Sequence, residues 1–233
     1  MSVTVASVLT RVETTLQDTS NIRWPESELV FWVNDAQREI ALLKPDASAI
    51  NATVTLSDGT KQEIPSAGNR LLRVVRNMSA SSGGTGSRSI RLVSREILDA
   101  QVPNWHDPTV SGDAAHGTEV KHYIYDEQNP RNFYVYPGVS GNSYIEIVYS
   151  ANPAAVTASD NLSIPDIYAN AVMNYVLYQA YLKDAEYAGN SQRANGHYQL
   201  FLQSLTGKGQ VDLITTPNTE SRANPNLTTA VAG

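Results

Sequence analysis

The sequence predicts an α+β protein: a helical bundle built from N- and C-terminal helices, an inserted antiparallel β subdomain, and an extended C-terminal tail. Three observations carry the prediction. Apolar residues recur at helical spacing up to Leu43 and again from Pro165 onward. Between them apolar and polar residues alternate at period two, interrupted by Gly, Asn, Pro and Ser clusters. After Gly207 the chain is polar apart from Val211, Leu213 and Ile214, too little apolar surface to offset an ordering entropy of about 1–2 kcal/mol per residue. The expected parts are residues 1–48, 49–160, 161–207 and 208–233.

Thr4 is placed to cap a first helix, whose Val5, Val8, Leu9, Val12 and Leu16 fall on one face. Pro25 restarts a helix at a first-turn position, with Glu26 and Glu28 near the positive end of its dipole. Leu29, Trp32, Val33, Ala36, Ile40 and Leu43 read as its buried stripe, and Lys44-Pro45 closes it. The run "ATVTLSDGTKQEI" reads as a β-hairpin around Asp58-Gly59. "RLLRVVRNM" reads as a strand, "SASSGGTGS" as a loop, and "SIRLV" as a further strand. Ser94 is placed to cap a short helix, "REILDAQ". "VKHYIYD", "RNFYVYP" and "SYIEIVYS" read as a three-stranded antiparallel meander. Two helices follow, one from Pro165 to about Glu186 and one carrying Ala194, Tyr198, Phe201, Leu202 and Leu205, which Gly207 is expected to end.

Composition narrows the function classes. The 233 residues carry a net charge of −6, and the 17 Lys and Arg read as dispersed along the chain, which argues against nonspecific phosphate binding. There is no cysteine, so disulfides and thiolate chemistry are excluded and a reducing compartment fits. No signal-like or membrane-spanning run is present, so no membrane is expected as a partner. His106, Asp107, Asp113, His116 and His122 are the one grouping with metal-ligating side chains, but they lie on or beside an irregular loop without fixed spacing. "SGGTG" lacks the lysine and helix of a phosphate cradle. No nucleophile has an evident base partner. Catalytic, metal and cofactor-binding residues are therefore all expected to be absent, and His197 reads as a boundary residue.

Tyrosine is the informative residue. Twelve are present against three Phe, and Tyr168, Tyr175, Tyr178, Tyr181 and Tyr187 crowd one helix on more than one side, with Tyr175, Tyr178 and Tyr181 the expected interface residues. Some belong to the core; the rest suit a subunit interface, where a rigid apolar ring with a polar tip is favoured. Trp24, Trp32 and Trp105 read as structural anchors.

The collinear set "RWPESELVFWVNDAQREIALLKPDA", "SREILDAQVPNW", "NPRNFYVYP" and "LSIPDIYANAVMNYVLYQAYLKDAE" resembles the head-to-tail adaptor (connector) proteins of tailed bacteriophages, especially those of short-tailed phages. The resemblance covers residues 3 to 206. It implies a non-enzymatic virion protein of the neck, made in the host cytoplasm: a ring of about twelve copies beneath the portal protein. Tail tube, nozzle or fibre proteins would lie below it, and double-stranded DNA would pass through without specific binding at genome ejection. Such adaptors commonly reach the portal with a C-terminal tail, which here assigns Val211, Leu213 and Ile214 to that contact. Pro25 stands where a capping Ser or Thr is more usual. A virion-associated cell-wall-degrading enzyme and a generic β-rich binding module remain as alternatives.

Overall fold

The computed structural model describes residues 2–82, 84–187 and 189–215, with side chains described as far as residue 207. The chain divides into two compact units, residues 1–43 with 154–233, and residues 44–153.

In the first unit, α1 (Val5–Leu16) is capped by Thr4, whose side chain accepts the Ser7 N–H. Val5, Val8, Leu9 and Val12 are buried and Leu16 is half-buried. Gln17 ends the helix in the left-handed region, φ 57°. Asp18 then accepts the backbone N–H groups of Ile22, Arg23 and Trp24, and these bonds, Trp24 foremost, hold its carboxyl below the usual carboxylate range. They shape the turn into α2 (Glu26–Leu43).

The buried stripe of α2 is Leu29, Val33, Ala36, Gln37, Ile40 and Ala41. This corrects the expectation for Trp32, which is half-buried, and for Leu43, which is 48% exposed. Burial of Gln37 and Ala41 turns the stripe so that positions 32 and 43 lie about 80–100° from its centre, at its edges. Gln37 and Asn34 serve the connection to the last two helices. Asn34 bonds both the N–H (2.8 Å) and the C=O (3.0 Å) of Val156, and Gln37 Oε1 accepts the Ser163 N–H at 2.7 Å.

A 3-10 turn (Asp166–Tyr168) leads into α4 (Ala169–Lys183), and α5 (Asn190–Thr215) follows; α3 belongs to the other unit. α4 packs against α1, α2 and α5. α5 runs through Gly207 to Thr215, correcting the expectation that Gly207 ends it. A glycine inside a helix costs only about 1 kcal/mol relative to alanine, too little to stop one that is otherwise supported.

The second unit holds two four-stranded sheets. One has the order β1 (Ala49–Thr55), β8 (Tyr144–Ala151), β3 (Gly68–Met78), β4 (Gly86–Ser89). The other has the order β2 (Gly59–Glu63), β7 (Asn132–Val139), β6 (His122–Tyr125), β5 (Arg91–Leu92). All pairs are antiparallel except β5 with β6. Leu71 and Val74 of β3, Ile145 and Ile147 of β8, Phe133 and Val135 of β7 and Tyr123 of β6 share one buried core.

Two expectations are corrected here. β1 and β2 do not pair as a hairpin; Asp58-Gly59 is a corner by which the chain changes sheets. Gln62 bonds the Ser57 N–H and C=O, and Asp58 accepts the Gly141 N–H, so the turn is satisfied without a ladder between its arms. Nor do the last three strands form a meander. β6 pairs with β7, but β8 joins the first sheet between β1 and β3. α3 (Arg95–Gln101) begins after Ser94, whose side chain makes no capping bond.

Candidate assembly surfaces

The three tyrosines expected at an interface lie along the seam between α4 and α5. Tyr175 meets Phe201 at 5.2 Å and Tyr178 at 5.8 Å between ring centroids. Tyr178 meets Tyr198 at 4.9 Å, and Tyr181 stacks on His197 at 5.6 Å. All three are half-buried: α5 covers part of each ring and the rest faces outward. Burial raises the pKa of the Tyr175 hydroxyl and lowers that of His197. His197 also bonds Asn174 at 3.0 Å, so it sits within the seam.

Of the three tryptophans, Trp24 and Trp105 are buried and Trp32 is partly open. Trp24 Nε1 donates to the Ala180 C=O at 3.3 Å. The Arg23 guanidinium lies over the rings of Trp24 and Tyr187, at 5.5 and 4.9 Å, and pairs with Asp184 at 2.6 Å, which fastens the start of α2 to the end of α4. Trp105 Nε1 donates to Asp99 at 2.8 Å, and its ring lies 3.6 Å from that of His106.

The His/Asp loop is occupied by local contacts. His106 Nδ1 bonds the Thr60 hydroxyl at 2.7 Å, Asp107 accepts from Thr109, and His116 packs against Gly138 so closely that a Cβ there would lie 2.4 Å from its Nε2. Among the described residues no three His, Cys, Asp or Glu could hold a metal ion. Val211, Leu213 and Ile214 fall on the α5 backbone, but their side chains lie outside the described residues. Among those residues no helix is long and apolar enough to cross a membrane.

One feature contradicts the expectation of dispersed charge. Residues 64–95 contain six arginines and no Asp or Glu, a run countable in the sequence. Within it β3 is buried at Gly68, Leu71, Val74 and Asn77. This period of three arises because the β3–β8 register shifts three times, at Gly68/Arg70, Leu71/Arg73 and Val74/Arg76. Arg70, Arg73 and Arg76 therefore oppose Ser150, Val148 and Glu146, in line on the outer face of the sheet. Arg76 pairs with Glu146 at 2.5 Å, and Asn51 holds the same carboxylate at 2.7 Å. Arg70 and Arg73 are exposed and make no ion pair among the described residues.

A search of curated proteins finds no match. A family model described as SU10 adaptor protein matches residues 3–225, a span that covers the whole of residues 44–153 and most of the other unit. The chain belongs to the SU10 adaptor protein family.

Proposed function

We propose that the protein is a non-enzymatic component of the phage neck that forms a ring beneath the portal, joins it to the tail and continues the DNA channel. The observation that carries this reading is the family match over residues 3–225. The partly open tyrosines of the α4–α5 seam supply rigid aromatic surface for contact between copies. The portal contact is assigned to the chain after Gly207, with Val211, Leu213 and Ile214 as its apolar anchors. A short apolar anchor is weak alone, and a ring multiplies it by avidity. The helical unit, with twelve Asp and Glu against seven Lys and Arg, has a charge balance that disfavours gripping phosphates, as suits a conduit. Negative-stain imaging of the purified protein mixed with its portal tests the reading. A ring at the portal's narrow end is expected. Bare portals, or clearing of peptidoglycan by the purified protein, would overturn it.

A further inference from the structure

The exposed Arg70 and Arg73 and the partly open Trp32 have complementary counterparts. At 100° per residue, Glu28, Trp32, Asp35 and Glu39 fall within about 60° of one another on α2, a stripe distinct from the buried one. All four are half-buried. Glu28 is paired with Lys183, and Asp35 with the exposed Arg38 one turn on. Glu39 makes no ion pair among the described residues, and both it and Asp35 lie close enough to act electrostatically on Tyr175. This flank thus presents carboxylates around an indole. The β3 row presents guanidinium groups around Leu72, which is 37% exposed.

Their spacings agree. Arg70 and Arg73 oppose residues two apart on β8, so they stand about 7 Å apart along the sheet. Asp35 and Glu39, one helical turn apart, are separated by about 6 Å along α2. A planar guanidinium is suited to both a carboxylate and an indole face. The charge of the helical unit and that of the arginine segment favour the same pairing. The helical unit is strongly acidic, whereas half of the chain's twelve arginines lie in residues 64–95.

We propose that the Arg70–Arg73 row of one copy docks on the Asp35–Glu39 stripe of a second copy, with Leu72 against Trp32. The contact is head-to-tail, because the two patches differ, and a head-to-tail contact whose rotation closes makes a ring, as the reading above requires. The inference rests on the ring reading above and adds its surface. A duplex phosphate backbone is the competing occupant of an arginine row; the acidic balance of the whole chain disfavours it, and the pairing of Arg76 with Glu146 leaves two arginines of the row without an ion pair among the described residues.

The test uses the full-length chain and its portal. Ring occupancy on the portal and self-association of the free chain are measured for wild type and for Arg70→Glu/Arg73→Glu, Asp35→Lys/Glu39→Lys and the fourfold exchange. Thermal melts check the fold, and Arg70→Gln/Arg73→Gln serves as the milder variant should charge reversal impair folding. Each reversal should weaken assembly by roughly tenfold or more, and the fourfold exchange should recover most of it. Unchanged assembly by the arginine variants would overturn the proposal, as would failure of the fourfold exchange to recover. Fluorescence anisotropy with a labelled duplex supplies the remaining arm. Duplex binding by wild type that the arginine reversal abolishes would make the row a phosphate surface and overturn docking on a second copy. Bare portals with wild-type protein would instead refute the adaptor reading, leaving self-association of the free chain to decide the interface.

Discussion

Asn77 should be the costliest polar residue to replace in the β unit. It lies on β3, nearly fully buried, and donates through Nδ2 to the C=O of Val120 at 2.7 Å and of Arg88 at 3.0 Å. Its Oδ1 accepts the Val120 N–H at 2.8 Å. Val120 is 0% exposed, so no solvent waits to replace the lost partners. Asn77→Leu keeps similar volume and adds apolar surface, but leaves the Val120 N–H and C=O unpaired. At about 1–3 kcal/mol for each buried orphan, the loss is about 2–6 kcal/mol. At about 2–4 °C per kcal/mol for a chain of this size, a loss near the middle of that range lowers Tm by about 8–16 °C. Circular-dichroism melts and urea titration of the purified variant measure it. If Asn77→Leu melts at or above wild type, apolar burial outweighs the bonds here, and the clamp from Asn77 to Val120 is not what holds this part of the unit.

Other perturbations have defined outcomes. Trp24→Ala and Trp105→Ala should each cost about 3–5 kcal/mol, and Trp32→Ala about half as much, because its ring is already partly in water; urea midpoints that rank Trp32→Ala as the worst would reverse the assignment of the α2 faces. Stability should fall on acidification in two stages. Burial lowers the pKa values of His106, His122 and His197, so the unfolded chain binds protons first and stability declines as pH drops below about 6.5. Asp18, Asp99, Asp107, Glu146 and Asp160 also have lowered pKa values, so the stability they contribute is present above about pH 4 and lost as pH falls through their folded values. A Tm that rises between pH 7 and 5 would contradict the histidine stage. Deletion of residues 208–233 should leave the melt near that of wild type while abolishing co-sedimentation with portals; wild-type attachment would move that contact onto the folded body.

The helices were legible because helical periodicity is a local signal. Val5, Val8, Leu9 and Val12 recur at a spacing that only a helix gathers on one face, and Thr4 stands where a cap is needed. Strand pairing is not local in the same sense. The alternation in "ATVTL" and "KQEI" identified extended chain, but nothing within those residues says whether they pair with each other or with strands about 70–100 residues further on. The deciding contacts are remote: Leu56 donates its N–H to Ser143, and β1 runs its full length along β8. The aromatic seam was half legible. Tyrosines on several sides of α4 were evident, but their partners Tyr198 and Phe201 come from α5, so part of the ring surface assigned to another subunit is used within the chain.

The segment "NRLLRVVRN" held a signal that a period-two reading could not use. Strict alternation puts Arg70, Leu72, Val74 and Arg76 on one face and Leu71, Arg73 and Val75 on the other, so either choice sends arginine into the core. Burying an unpaired guanidinium is far costlier than disturbing a ladder. The chain resolves the conflict by repeating a bulge, with Asn69, Leu72 and Val75 as extra residues that oppose no ladder partner on β8. Leu71, Val74 and Asn77 then point inward together. The repeat of an arginine at every third position, with a core residue directly after each, is thus a pattern that an extended strand satisfies only by bulging. The same distortion that removes arginine from the core aligns it on the outside, so the strand's local frustration and its charged outer row have one cause.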